Sequence, residues 1–469
     1  MKAVGNKITF ALYFGNRGFF PSEVIASARE EMKKAVSDAG FGYICMDGEK
    51  TRYGAVETIA EGEKYAQFLE ENRGSFDGVI LCLPNFGDEN GASVALKNAN
   101  VPVLVQAYPD KIGEMDFAHR RDAMCGKFAM CNLLRQAGIP YTLTEKFVIE
   151  PLSDSFRNDL VNFAGVCRIV KGMKHFNLGA IGARTTAFKT VRVDEIAFQK
   201  KGINIETIDL SDIFARVAKV PQARIDEKKV QILNITEFSG YPEEKLCTMA
   251  KVQAVFEDIV SEYNLQAVAV RCWNEFETVL GIAPCTSLCL LNELGISAAC
   301  EVDITNAVMM RALSLASDSP CMLLDYNNNY GESDDKAIMF HCGPIPPSML
   351  EGKGKIIEHL MFKKTFGEGT GVGVNKGKIK SGDITFGSIK TENGRICGFV
   401  SQGEFTDDKI EEEFFGSGKV VKKDNINNVS NYMAENGYKH HLAITYGSCA
   451  KAINEAFGKY LDFDIDVLK

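Results

Sequence analysis

The stretch VRCWNEFETVLGIAPCTSLCLLNELGISAACEVD, residues 270–303, decides how this chain is read. It begins at the end of a short apolar run, AVAVRCW (267–273), which has the length and composition of a buried strand. Two acids, Glu275 and Glu277, stand just past that run. An apolar segment of helix length follows and stops at Gly295. A second short run, ISAAC (296–300), leads to Glu301 and Asp303. Two strands of one α/β sheet would thereby carry acids to the same C-terminal edge, where open α/β sheets place their ligands. Carboxylates gathered there suit a divalent cation that prefers oxygen ligands, or acid–base catalysis.

Outward from this stretch the same alternation repeats. ITFALYF (8–14), FGYICM (41–46), FDGVILCLP (76–84) and VPVLVQA (101–107) are strand-like runs, with helical segments at about 22–39 and 58–71. LGAIGAR (178–184) and INIETIDL (203–210) continue the pattern towards 267–300, and a helix is expected over 305–317 with its cap at Asp303 to Asn306. Residues 115–138 are expected to hold a further helix ending at Gly138. From residue 322 the pattern changes to short strands and glycine-rich turns. The expected fold is therefore α/β. Two Rossmann-like doubly wound domains, 1–165 and 166–345, precede a β-rich, barrel-like C-terminal domain over 346–469, and the second carries the acidic strands. A chain of 469 residues exceeds what one core usually supports.

Composition narrows the function. The net charge of −9 argues against nucleic acid or an anionic membrane as partner. No apolar run reaches the length of a membrane span, and no basic segment precedes an apolar one at the start, so a cytoplasmic location is expected. None of the fourteen cysteines forms a CxxC pair; Cys45, Cys82, Cys167 and Cys300 stand in apolar surroundings and read as reduced core thiols. Neither GxGxxG nor GxxxxGK[ST] occurs, so no nucleotide site is indicated.

Only six histidines are present, and two of them, His440 and His441, open the late strand KHHLAITYGS (439–448). Neighbours on a strand point to opposite faces, so only one of this pair is expected to enter a given site. His341 stands in FHCGP between two strand-like runs. Glu275, Glu301 and a histidine would make an oxygen-rich set that suits Mn²⁺ or Mg²⁺ better than structural zinc. For substrate contacts, Trp273 and Asn274 adjoin Glu275, Asp303 competes with Glu301 as the second acid, and Asn85 lies in a polar loop at a strand end. Arg184, with Lys189 and Arg192 in GARTTAFKTVR, forms a basic loop without a counter-charge, which favours an anionic or polyhydroxylated ligand.

Several of these segments carry a family resemblance. WNEFETVLGIAP, GISAACEVD, HCGPIPPSM, KSGDITFGSI and GYKHHLAITYG resemble the L-fucose isomerase and L-arabinose isomerase superfamily. The resemblance implies Mn²⁺-dependent aldose–ketose isomerisation, with Co²⁺ or Mg²⁺ as substitutes. It implies a homo-oligomer with active sites near subunit interfaces. Its two metal-binding and catalytic carboxylates fall on Glu275 and Glu301, with Glu where fucose isomerases carry Asp. Its late histidine falls on His440 or His441, and His341 resembles an additional histidine of the arabinose enzymes. Mechanistically it implies proton transfer between C2 and C1 through a cis-enediol. The substrates it implies are neutral pentoses and 6-deoxyhexoses, whereas the basic loop would suit a sugar sulfonate such as sulfoquinovose. Two rival readings are a sugar-binding protein on the same scaffold and a metal-dependent aldolase or dehydratase.

Overall fold

A computed structural model of the chain describes residues 7–410 and 415–469. These residues form two compact units: Gly5–Lys171 with Glu455–Asp462, and Gly172–Asn454 with Phe463–Lys469.

In the first unit five parallel strands, β1 (Thr9–Phe14), β2 (Gly42–Cys45), β3 (Gly78–Leu83), β4 (Val103–Ala107) and β5 (Thr142–Leu143), stand in the order β2-β1-β3-β4-β5. Every residue of β3 and β4 is buried, which is why they read as unbroken apolar runs rather than as alternations. The helix expected over 115–138 spans only Ala123–Gln136. Ahead of it the Asp110 carboxylate accepts the backbone N–H groups of Arg121 and Asp122, a side-chain alternative to helical bonding.

The second unit holds three sheets. A parallel sheet runs β10-β9-β6-β7, from β6 (Phe176–Ile181), β7 (Ile203–Ile208), β9 (Ala267–Val270) and β10 (Ser297–Cys300). A small sheet joins β8 (Thr236–Glu237), β13 (Gly354–Glu358) and β14 (Val372–Lys376). The third contains β11 (Met322–Asn329), β12 (Lys336–His341), β15 (Gly382–Glu392), β16 (Arg395–Phe405), β17 (Ser417–Lys422), β18 (His441–Tyr446) and β19 (Asp464–Leu468). Its order is β15-β18-β11-β12-β17-β16-β19, and β15 also pairs with β16. The expected acidic strands are thus β9 and β10, and the histidine strand is β18.

One helix decides where the site lies. Ile304–Ser317 is buried on nearly every face, packing against β9 and β10 on one side and β15 and β18 on the other. An apolar helix without a polar face has to be enclosed in this way. Its N-cap is Asp303, whose carboxylate accepts the Asn306 N–H, so the helix starts where β10 ends.

A close backbone contact fixes the turn that follows Glu277. Ala283 N–H donates to Val372 O at 2.9 Å, and Thr286 Oγ1 donates to Gly373 O at 2.6 Å. Gly373 has φ +140°, and a Cβ there would run into the Ala283 carbonyl. Gly373→Ala should therefore cost about 1–3 kcal/mol, as overpacking of a tight contact does. The measurement is urea unfolding, with a lower midpoint expected at an unchanged slope.

Candidate active site

The pairing of β9 with β10 runs from Ala267↔Ser297 to Val270↔Cys300, so the two strands finish level. Past β10 the backbone turns through two left-handed residues, Glu301 (φ +62°) and Val302 (φ +59°). Val302 N–H donates to Val270 O and Asp303 N–H to Cys300 O, which holds the turn against both strands. Left-handed backbone at two consecutive side-chain-bearing residues is costly and marks a turn that its surroundings enforce.

Asp303 has no solvent access. Lys439 Nζ lies 2.7 Å from its Oδ1, and His441 Nδ1 lies 2.8 Å from its Oδ2. Thr305 Oγ1 donates to Oδ1, and Asn306 donates to both oxygens through its N–H and Nδ2. Burial opposes the charge, but Lys439 and His441 hold this carboxyl well below its usual range. Asp303 thus has no oxygen left for a ligand; its role here is to hold His441.

Glu301 instead faces a buried cluster. His441 Nε2 lies 3.3 Å from Glu301 Oε2 and 3.4 Å from Asp325 Oδ1. His341 Nε2 lies 4.0 Å and His440 Nε2 3.7 Å from the same Asp325 oxygen. Two triplets bring their ligand atoms within 4.8 Å of one another: Glu301, His341 and His441, and Asp325, His440 and His441. His441 belongs to both, is fully buried, and opens β18 beside Asp325 in register. Its neighbour His440 is half exposed, as the alternation of strand side chains requires. Asp325 carries a weak signal in the sequence: it is a single acid directly after the buried run Met322–Leu324 of β11.

Titration behaviour follows from these neighbours. Burial lowers the two enclosed histidines, but carboxylates overcome it, raising His441 to about 10 through Asp303 and Glu301 and His341 to about 9, chiefly through Asp325. Burial raises Glu301, and the His441 contact outweighs this to leave it below the ordinary value. His441 Nε2, His341 Nε2 and Asp325 Oδ1 are all buried without a hydrogen-bond partner among the described residues. Acceptors crowded together in this way need a cation between them, and a mixed imidazole–carboxylate set fits a hard divalent ion.

The acids past β9 separate sharply. Glu275 is held by a bidentate ion pair with Arg271, Nε to Oε2 at 2.6 Å and Nη2 to Oε1 at 2.7 Å, and also accepts the Asn274 N–H. It belongs to neither triplet. Glu277 is 1% exposed, and neither of its carboxylate oxygens has a hydrogen-bond partner among the described residues. Burial pushes it up to about 8, with Glu275 and Cys342 adding to the shift. Cys342 and Cys272, both within electrostatic reach of Glu277, line a cavity of about 90 Å³ together with Trp273, Glu301, Asp325 and His341.

Of the remaining expected contacts, Trp273 lines this cavity, whereas Asn274 serves Glu275 through its backbone. Arg184 donates to the carbonyls of Thr185 and Thr186 and lines a separate cavity of about 350 Å³ that also includes Arg192, Val302 and Ile304. Its loop approaches the histidines through Phe188, whose ring centroid lies 5.6 Å from those of His440 and His441. Asn85 belongs to the other unit, fully buried, where it bonds Asn16, Pro21, Arg17 and Gly87. All fourteen cysteines are free, in agreement with reduced core thiols.

Comparison with known proteins places this site. Residues 11–174 match the fucose/sulfoquinovose isomerase N-terminal domain, and residues 339–469 match the L-fucose isomerase C-terminal domain. The chain belongs to the fucose/sulfoquinovose isomerase family. A sulfoquinovose isomerase from Alkalicoccus urumqiensis is 25% identical over 421 residues, covering 85% of this chain and 88% of that protein. A sulfoquinovose isomerase from Priestia aryabhattai is 21% identical over 421 residues, covering 88% and 90%. The chain is accordingly a sugar isomerase of the aldose–ketose class. No helix among its described residues is long and apolar enough to cross a membrane.

The raised histidines make the stability of the metal-free isomerase depend on pH. A histidine raised on folding contributes stability that is complete below its unfolded value of about 6.5 and is lost as pH rises through its folded value. For His341 and His441 those folded values are about 9 and about 10. Unfolding free energy should therefore decline from pH 6.5 to pH 10. Denaturant midpoints across that range should fall less steeply in His441→Gln than in the unaltered chain.

Proposed function

We propose that this isomerase interconverts sulfoquinovose and its ketose through a cis-enediol, with a divalent cation held by Glu301, His441 and Asp325. The observation that carries the reading is His441, whose Nδ1 is pinned by buried Asp303 so that Nε2 is turned towards Glu301 and Asp325. A carboxylate behind a metal-binding imidazole sets its tautomer and raises its basicity. When bound, the ion supplies Lewis acidity at the sugar's O1 and O2 and charge for the developing enediolate.

The chain's own groups divide the remaining work. Glu301, kept ionised by His441, suits a ligand. Glu277, raised to about 8, is poised near neutrality, where a group both takes and returns protons efficiently. We assign it the removal of the C2 proton and its return to C1. Glu275, neutralised by Arg271, supports the loop instead. Apolar walls from Phe340, Phe362 and Phe415 keep water from the enediol. The sulfonate has a natural partner in the basic loop, since Arg184, Lys189 and Arg192 have no carboxylate partner among the described residues, and the relatives named above act on sulfoquinovose.

Two measurements test this. Sulfoquinovose, L-fucose, D-arabinose and L-arabinose should be assayed for ketose formation with Mn²⁺ and after chelation. Conversion of sulfoquinovose that stops on chelation is expected. A cleaved or dehydrated product would instead support lyase chemistry, and binding without turnover a sugar-binding role. Among variants, Glu277→Gln should lower kcat by about 10²–10⁴-fold, the usual worth of a proton-transfer group. Glu275→Gln should cost far less; the reverse order would return the catalytic role to Glu275.

A further inference from the structure

Resting on the isomerase reading above, we infer that His341 is a hydrogen-bond donor to the sugar oxygens and not a ligand of the metal. The two buried histidines look equivalent by position, since both send Nε2 towards Glu301 and Asp325. Their other nitrogens tell them apart.

His441 Nδ1 faces the Asp303 carboxylate, which carries a charge and only accepts. Nδ1 therefore bears the proton, and Nε2 presents a lone pair. His341 Nδ1 faces the backbone N–H of Gly343 at 3.0 Å, and a backbone N–H only donates. Nδ1 of His341 therefore presents its lone pair there, which leaves the ring proton on Nε2. A second proton would add a hydrogen to Nδ1 and leave Nε2 protonated all the same. To offer a lone pair from Nε2, the ring would have to set an Nδ1–H against the Gly343 N–H.

The surroundings keep that arrangement in place. Gly343 is anchored through its carbonyl, which accepts from Ile345 N–H at 2.8 Å and Cys289 Sγ at 3.3 Å. Turning the ring over would strand a buried N–H, an unfavourable exchange. His341 is itself 2% exposed, and its Nε2 has no hydrogen-bond partner among the described residues. This N–H lines the cavity that holds Glu301 and Asp325. Negative charge grows on a sugar oxygen as the C2 proton leaves, and a preorganised donor in a water-poor cavity stabilises it there.

The test compares His341→Ala, His341→Gln and His441→Ala. Mn²⁺ binding to each metal-free protein is followed by the loss of the free-ion signal in electron paramagnetic resonance, and kcat and KM are measured on the sugar that is turned over. His441→Ala should lose Mn²⁺ binding, whereas both His341 variants should retain it. In His341→Ala kcat should fall by about 10²–10³-fold, the cost of one missing oxyanion donor. KM should change little, and His341→Gln, which keeps an N–H donor, should recover part of the loss. Loss of Mn²⁺ binding in His341→Ala comparable to that in His441→Ala would overturn the inference, as would an unchanged kcat. Turnover by an unaltered chain that binds no Mn²⁺ would instead sink the metal reading, and kcat of His341→Ala would still decide whether His341 is a donor.

Discussion

Asp303 is a charge with no contact with solvent, and everything around it is arranged to make that tolerable. Lys439 and His441 meet its two oxygens, and Asn306 and Thr305 fill the remaining acceptor positions. A buried ion pair adds little net stability, but removing one partner is expensive, typically about 3–5 kcal/mol, because the other charge is left uncompensated. The arrangement therefore specifies geometry more than it adds stability. Its members are separated by more than 130 residues of chain, so the end of β10 and the start of β18 are brought together at one point.

Asn306 extends the same constraint to a third strand. Its Nδ2 donates to Asp303 and to the His441 carbonyl, while its Oδ1 accepts from Ser388 and from the Ile389 N–H. The buried helix Ile304–Ser317 thus carries at its first turn the polar joint between the parallel sheet and β15 and β18. A polar network of this kind in a low-dielectric interior orders the groups it contains. His441 inherits that order, whereas the basic loop of Arg184, Lys189 and Arg192 makes mainly local backbone hydrogen bonds. The chemistry rests on a fixed floor, and recognition of the sugar's far end falls to a loop, the usual division in α/β enzymes.

Much of this was legible in the amino-acid order. Buried parallel strands announce themselves as short apolar runs, and β9, β10 and β18 were read from AVAVRCW, ISAAC and KHHLAITYGS close to where they stand. The alternation rule required one of His440 and His441 to face inward. Which acid past β9 faces the cavity was not legible, because the strand ends at Val270 and its two-residue period ends with it. Glu275 and Glu277 then diverge in a turn, one towards Arg271 and the other into the interior. Asp325 offered only a lone acid on a strand, a pattern shared by many solvated residues.

The sequence by itself determined the elements and the chemical stock: strands with acids at their ends, a buried helix capped by Asp303, and a histidine pair on a late strand. These follow from local periodicity and capping, which act within a few residues. Only the tertiary structure decided the assignment of roles. That Asp303 orients His441, that Glu275 is neutralised while Glu277 is buried alone, and that Gly343 determines which nitrogen of His341 keeps its proton all depend on contacts outside the reach of local pattern. A side chain's charge state and tautomer are set by whatever the fold places within about 3 Å of it, since hydrogen bonds act only at that range.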